Sequence, residues 1–371
     1  MNVDELLISL GYTSEESANI INYYSNAKLK ESTLIENINN NLNILHKLGY
    51  KKEEIIMIGN KFPQIFSFTS DGIKQKINYL ISLGYSEKDI VRMIKKGPQI
   101  LGLSFKNLEQ KIRYLMNLGY SEKDIIRMTK NECSLYFYSE ENINKKIEEL
   151  INLGYNVKDI IKITSKNPTL LTINMDNINH KIDLLMEIGY TKEQIIKITK
   201  HCPSIYNYKV DKIKEKIDKL EKLGYDRKSI IKMTTSLPSL FSYSLDNIEN
   251  KIYSIMNLDY TKEEVIYMTE KLPSLFGLSM ENIKEKIDFY DYIGFHEMVA
   301  INPLFLIQSI NLSYARYNYL TSRGNKITVD NFKRLFDSNK DFEKLYGITR
   351  NDLIEMYNYE EYKEKKNDRT L

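Results

Sequence analysis

The chain has 371 residues, 42% of them apolar and 28% charged, with a formal net charge of only +3, so whole-molecule electrostatics do not by themselves announce a nucleic-acid partner. No apolar run approaches the roughly 18–20 residues that span a bilayer, which excludes a helical membrane protein. The two cysteines, Cys133 and Cys202, are too few for a disulfide scaffold and fit a reducing compartment.

The N-terminus, MNVDELLISLGY, has no basic segment and carries Asp4 and Glu5 early, unlike a secretory signal or a transit peptide. The expected location is therefore the cytoplasm, or an organelle if the source is eukaryotic. Residues 1–48 read as a degenerate capping repeat, because Gly11-Tyr12 sits 38 residues before the next such pair and no proline follows it.

From there the pattern is regular. Gly-Tyr pairs begin at Gly49, Gly84, Gly119, Gly154, Gly189 and Gly224, and Asp259-Tyr260 and Gly294-Phe295 continue the series in steps of 35 residues. Prolines keep the same register at Pro63, Pro98, Pro168, Pro203, Pro238 and Pro273, with Cys133 filling the one gap. Numbering each glycine as repeat position 1, positions 3–6 read as capping boxes, as in Ser86-Glu87-Lys88-Asp89. Apolar residues at positions 7, 8, 10 and 11 then describe a first helix, which the proline at position 15 ends. After a short apolar turn, such as Pro238-Ser239-Leu240-Phe241, Ser at position 21 and Asn at position 24 mark a second N-cap. Positions 25, 29, 32 and 35 (Ile248, Ile252, Ile255 and Leu258 in one copy) give the second helix its stripe, and the next glycine caps it.

Two helices and a turn cannot enclose a core, so neighbouring units must stack. The expected fold is an all-α solenoid, a superhelix of about eight such helix-turn-helix repeats each with a short 3-10 turn, its handedness left open. The repeats occupy 49–303, a helical C-terminal cap 304–358, and a charged tail 359–371.

Position 9 is basic in five consecutive units: Arg92, Arg127, Lys162, Lys197 and Lys232. Met57 and Tyr267 occupy it in the flanking units. Positions 5, 12 and 13 add Lys88, Lys123, Lys96, Lys130, Lys166 and Lys200 on the polar side of the first helix. Residues 84–258 hold 29 basic and 22 acidic side chains, whereas 259–293 hold 4 and 8. Stacking would align the central faces into a positive stripe that could follow a phosphate backbone. An exposed face that is merely polar is the alternative. Position 28 is Lys in seven of seven units, from Lys76 to Lys286, on the edge of the apolar stripe. That placement favours a packed stem whose ammonium reaches the carbonyls of a neighbouring helix end. Position 14 varies (Phe62, Gly97, Glu132, Asn167, Cys202, Leu237, Leu272), but three of these are large and apolar, which suits packing better than base readout.

The four histidines fall at unrelated positions and no zinc-ligand spacing, phosphate loop or nucleophile elbow occurs. The reading is of a protein without catalytic residues, metal or cofactor.

The pattern P-x-L-F-x-x-S-x-x-N-I-x-x-K-I-x-x-L-x-x-L-G-Y-x-x-x-x-I-I-x-M, repeated over roughly 48–303, resembles the mitochondrial transcription termination factor (mTERF) family, in a bacterial type. Ser309-Ile310-Asn311-Leu312-Ser313-Tyr314-Ala315-Arg316-Tyr317 resembles its closing segment, with Arg316 at the family's usual arginine. That resemblance implies a curved superhelix binding double-stranded DNA or RNA along a basic groove, with Arg316 as a further contact and a regulatory role in transcription or RNA metabolism. Residues 85–93 are also similar to the first helix of the base-reading repeats of transcription-activator-like effectors. The partner expected is double-stranded DNA or structured RNA, bound by a monomer with no membrane involvement. The alternative is a protein-interaction scaffold holding a peptide or partner protein.

Overall fold

The structure, a computed structural model, describes residues 2–25, 29–328, 330–360 and 363; the expectation of a charged tail at 359–371 falls mostly outside them. The described residues are helical and contain no strand. They divide into two compact units, Met1–Tyr208 and Lys209–Leu371.

The first unit carries α1 (Val3–Leu10), α2 (Ser14–Ser25), α3 (Glu31–Lys47), α4 (Lys52–Lys61), α5 (Ser70–Ser82), α6 (Glu87–Lys96), α7 (Phe105–Asn117), α8 (Glu122–Asn131), α9 (Glu140–Asn152), α10 (Val157–Lys166), α11 (Met175–Ile188) and α12 (Lys192–His201). The second carries α13 (Val210–Leu223), α14 (Arg227–Ser236), α15 (Leu245–Met256), α16 (Lys262–Lys271), α17 (Met280–Tyr292), α18 (His296–Ile301), α19 (Ile310–Ser322), α20 (Asn339–Tyr346) and α21 (Arg350–Met356). From α4 onward the even-numbered helices up to α18 are the first helices of the repeats, and each runs into a 3-10 turn opened by the proline or Cys133, such as Pro98–Gly102 or Cys133–Tyr136. After Pro303–Leu306 the two-helix period lapses into α19, a 3-10 segment at Phe332–Phe336, α20 and α21.

The capping signals act as the sequence requires. Ser86 accepts from the Asp89 amide and the Asp89 side chain returns to the Ser86 amide, a reciprocal box that Ser121 and Asp124 repeat. Ser104 opens α7 by accepting from the Asn107 amide at 3.0 Å. At the other end of each unit, the Gly84 amide donates to Ile81 O (2.9 Å) and the Tyr85 amide to Leu80 O (3.2 Å). That closure needs a left-handed residue, and Gly84 has φ 97°. Asp259 takes the same role at φ 66°, the one non-glycine residue among those described to do so, at a cost of about 1 kcal/mol.

Within each unit the first helices lie side by side: α4 to α12 in the first, α14 to α18 in the second. The second helices α9 and α11 instead lean on the following repeat's 3-10 turn, at Pro168–Leu171 and Pro203–Asn207, whereas α3 packs on α5 and, in the second unit, α13 on α15 and α15 on α17. Two buried polar links recur across these interfaces. The tyrosine at position 2 hydrogen-bonds the threonine at position 11 of the next repeat, seen in Tyr85–Thr129, Tyr120–Thr164 (2.6 Å), Tyr155–Thr199 and Tyr225–Thr269 (2.5 Å). The position-28 lysine donates to the carbonyl just past the next 3-10 turn, as Lys76 does to Leu103, Lys111 to Tyr138, Lys216 to Tyr243 and Lys251 to Leu278. The packed stem and reaching ammonium expected at this position are what the fold contains. Burial holds the Lys76, Lys111, Lys181, Lys251 and Lys286 ammonium groups below their ordinary pKa. Position 14 is also interior: Phe62, Asn167, Cys202 and Leu272 are buried, and Asn167 donates to Pro203 O at 3.0 Å.

Candidate nucleic-acid interface

Residues four apart on one helix share a face, about 6 Å apart along the axis. Positions 5, 9 and 13 therefore stand in a row on each first helix. On α6 that row is Lys88, Arg92 and Lys96; on α8 it holds Lys123 and Arg127; on α10 it is Lys158, Lys162 and Lys166; on α12 it keeps Lys197. All nine side chains are exposed. Because α6, α8, α10 and α12 are neighbours within the first unit, the rows form a sheet of cations spaced about 8–10 Å from helix to helix. Lys232, also exposed, holds position 9 on α14 of the second unit.

These cations are not equivalent. Nothing among the described residues pairs with the side chains of Arg92, Lys162, Lys197, Lys88, Lys123, Lys166 or Lys232. Arg127 bonds Asp124 in its own capping box, and its Nε donates to Ser165 O at 3.0 Å on the next first helix. Lys96 Nζ donates to Asn131 O at 2.8 Å. Position 12 behaves differently again. Lys95, Lys130 and Lys200 each reach back to the position-6 acid of the preceding repeat, Lys95 to Glu54, Lys130 to Asp89 (3.4 Å) and Lys200 to Asp159 (2.6 Å). The Lys95 bond leads in holding the Glu54 carboxyl below its usual range. At Asp89 desolvation pushes upward, but the Ser86 hydroxyl and amide, with Lys130, outweigh it. Lys130 and Lys200, candidates by sequence, are thus half-buried and already neutralised by the stacking of the helices that present them.

Arg316 needs a correction. It is 2% exposed on α19, where Nη1 donates to Leu335 O at 2.9 Å and Nη2 to Asn339 Oδ1 at 3.1 Å, with the guanidinium 4.7 Å from the centre of the Phe342 ring. Burial lowers its pKa, while Asp337 opposes that shift. A phosphate has no path to a cation enclosed in this way, so its role is to tie α19 to the Phe332–Phe336 segment and α20. Sequence reasoning also missed Glu54, Asp89 and Asp159, whose capping-box signature hides a second use toward the next repeat.

Among the described residues no group of three or more His, Cys, Asp or Glu side chains could hold a metal ion, and no helix is long and apolar enough to cross a membrane. Cys133 and Cys202 are both buried, and neither forms a disulfide among the described residues.

The family model for mTERF matches residues 1–176 and again 140–343, together most of the chain. The chain belongs to the mTERF family. A search of curated proteins finds no match. The stacked repeats, the proline-led 3-10 turns and the buried Tyr–Thr links above are thus features of an mTERF-type helical repeat protein.

Proposed function

We propose that this mTERF protein is a noncatalytic binder of double-stranded DNA or structured RNA, engaging phosphates through the cation rows of α6, α8, α10 and α12, and acts as a regulator of transcription or RNA metabolism. The observation that carries the reading is position 9. Its side chains are exposed in every central repeat, and Arg92, Lys162 and Lys197 have no partner among the described residues. Exposed cations left unpaired contribute little to stability, and a row of them at regular spacing suits a polyanion. Lys232 extends the same position into the second unit. We leave Arg316 out of the interface, and Lys130 and Lys200 out of its core.

The test is fluorescence anisotropy of the full chain with labelled duplex DNA and structured RNA from low to physiological salt. Each phosphate neutralised on B-form DNA contributes about 0.9 to the slope of log K against log[salt]. The triple variant Arg92→Ala, Arg127→Ala, Lys162→Ala should therefore flatten the slope by about 2.7 if each makes one contact. Absence of binding at low salt would refute the proposal and leave a protein-interaction scaffold as the working reading.

A further inference from the structure

The closure of each second helix leaves one side chain pointing away from the core. In the Gly84 turn the buried pair is Leu80 and Tyr85, while Ile81, three residues before the glycine, faces solvent. A polar residue would be the default there. Yet in the first unit this position holds Ile8 on α1, Ile81 on α5, Met116 on α7, Ile151 on α9 and Met186 on α11, each at least 40% exposed and interrupted only by His46. In the second unit the same position holds Glu221, Met256 and Asp291, so the exposed apolar series ends with the first unit.

From α5 onward, further apolar side chains join the ridge. Leu83, Leu118 and Leu153, two residues further on, are half-buried beside it. The glycines that follow lie under branched residues of the next repeat: a Cβ on Gly119 would approach Ile161 Cδ1 at 3.0 Å, and one on Gly154 would approach Ile196 Cδ1 at 3.0 Å. Contiguous apolar surface of this kind on a repeat protein marks an interaction site.

Charge selects the occupant. Along α9 and α11 the exposed apolar residues are bordered by Glu148, Asp183 and Glu187, one helical turn from or adjacent to Ile151 and Met186. All three carboxylates are exposed, and none is ion-paired among the described residues. The corresponding positions on α5 and α7 are Asn78, Ser82, Arg113 and Asn117, so the acidity is local to the α9–α11 end. The ridge helices α9 and α11 are bridged by 3-10 turns rather than packed on one another, so the spacing of their side chains exceeds the ~8–10 Å of packed helices; residues seven apart on an α-helix, about 10.5 Å along its axis, are the first same-face pair beyond that length.

We propose that this ridge docks an amphipathic helix of a partner protein that presents one apolar residue every seven and a basic flank. The site lies on the C-terminal ends of the second helices, whereas the cation rows lie on the first helices.

A labelled helical peptide of about 20 residues, with Leu at three positions seven apart and Lys on both flanks, tests this against the full chain by anisotropy; its counterpart carries Glu on the flanks. The Lys peptide should bind, the Glu peptide about tenfold or more weakly. The double variant Ile151→Ser, Met186→Ser should weaken the Lys peptide about tenfold while leaving nucleic-acid affinity unchanged. Because those positions are exposed, the fold should persist. The charge variant Glu148→Lys, Asp183→Lys, Glu187→Lys gives an independent reading and should reverse the peptide preference. The proposal is overturned if neither peptide binds, if both bind alike, or if the variants bind as the native chain does. Concentration-dependent self-association abolished by Met186→Ser would also overturn it, assigning the ridge to a second copy.

Discussion

The links between repeats can be weighed at Tyr155, where proton counting fixes the direction of every bond. Thr199 donates its hydroxyl proton to Ile195 O (2.8 Å), so Thr199 Oγ1 can only accept from Tyr155. Tyr155 has then spent its own proton, and the Tyr206 hydroxyl, 2.8 Å away, must donate to it. All three groups are buried. Tyr155→Phe therefore removes one bond and strands the Tyr206 donor, for a cost of about 2–4 kcal/mol. Tyr206→Phe removes a donor but leaves Tyr155 bonded to Thr199, which costs about 0.5–1.5 kcal/mol. In the double variant no donor is stranded, so its cost should fall below the sum of the two and approach that of Tyr155→Phe alone. Tyr120→Phe serves as a reference, because Leu171 stands where a second tyrosine would and no donor is orphaned. Urea unfolding followed by circular dichroism measures each variant, with the denaturant slope checked for constancy. Equal costs for Tyr155→Phe and Tyr206→Phe, or strict additivity, would refute this assignment of protons.

Two further outcomes follow from the buried ionisable groups. Lys111→Met keeps the stem and removes the ammonium that donates to Tyr138 O (2.5 Å), so it should destabilise by about 1.5–3 kcal/mol, less whatever desolvation it relieves. Since the Lys111 pKa lies below its ordinary value when folded, the native chain is penalised at neutral pH. That penalty fades as pH rises from the lowered value toward about 10.4, so the margin over Lys111→Met should widen in that window; a margin independent of pH in urea unfolding would contradict it. The interface tyrosines have the opposite sign. Burial raises Tyr85, Tyr155 and Tyr225, and Tyr120 to about 12, so their stabilisation is complete below the ordinary value near 10 and is lost as pH climbs above it. Tyrosinate absorbance and helical circular dichroism should therefore change together in alkali, and ionisation of these tyrosines with helicity retained would argue against their burial.

Much of this fold is legible because its signals are local. A glycine that must be left-handed, a proline that must end a helix and a serine that must cap one each act within a few residues, and their 35-residue spacing carries them along the chain. The position-28 lysine was legible for a similar reason, since its stem sits at the edge of an apolar stripe. Contacts that jump a repeat were not. Tyr85 and Thr129 are 44 residues apart, and nothing in either residue announces the other. Nor could the sequence reveal that Arg316 is enclosed, because its acceptors, Leu335 and Asn339, lie in a segment outside the repeat pattern. The apolar residues three before the glycines of the first unit lie outside the stripe of positions 25, 29, 32 and 35, and only the closure of the helix end shows that they face outward.

The division of charge on the first helices explains why a net charge of +3 is a poor guide to this molecule. Five first helices carry an acid at position 6 (Glu54, Asp89, Asp124, Asp159 and Glu264), within the first turn where capping favours one, and those acids enter the total. Stacking then places a position-12 lysine against the preceding acid in three cases, cancelling both charges locally. Such pairs, exposed or half-buried, contribute at most about 1 kcal/mol each, so their larger consequence is where they leave charge unpaired. Position 9 lies one turn beyond position 6, and apart from Arg127, which bonds Asp124 of its own helix, no acid among the described residues reaches it in the central repeats. The positive potential is thus set by register along the helix rather than by composition, and a single-residue slip of that register would bury it.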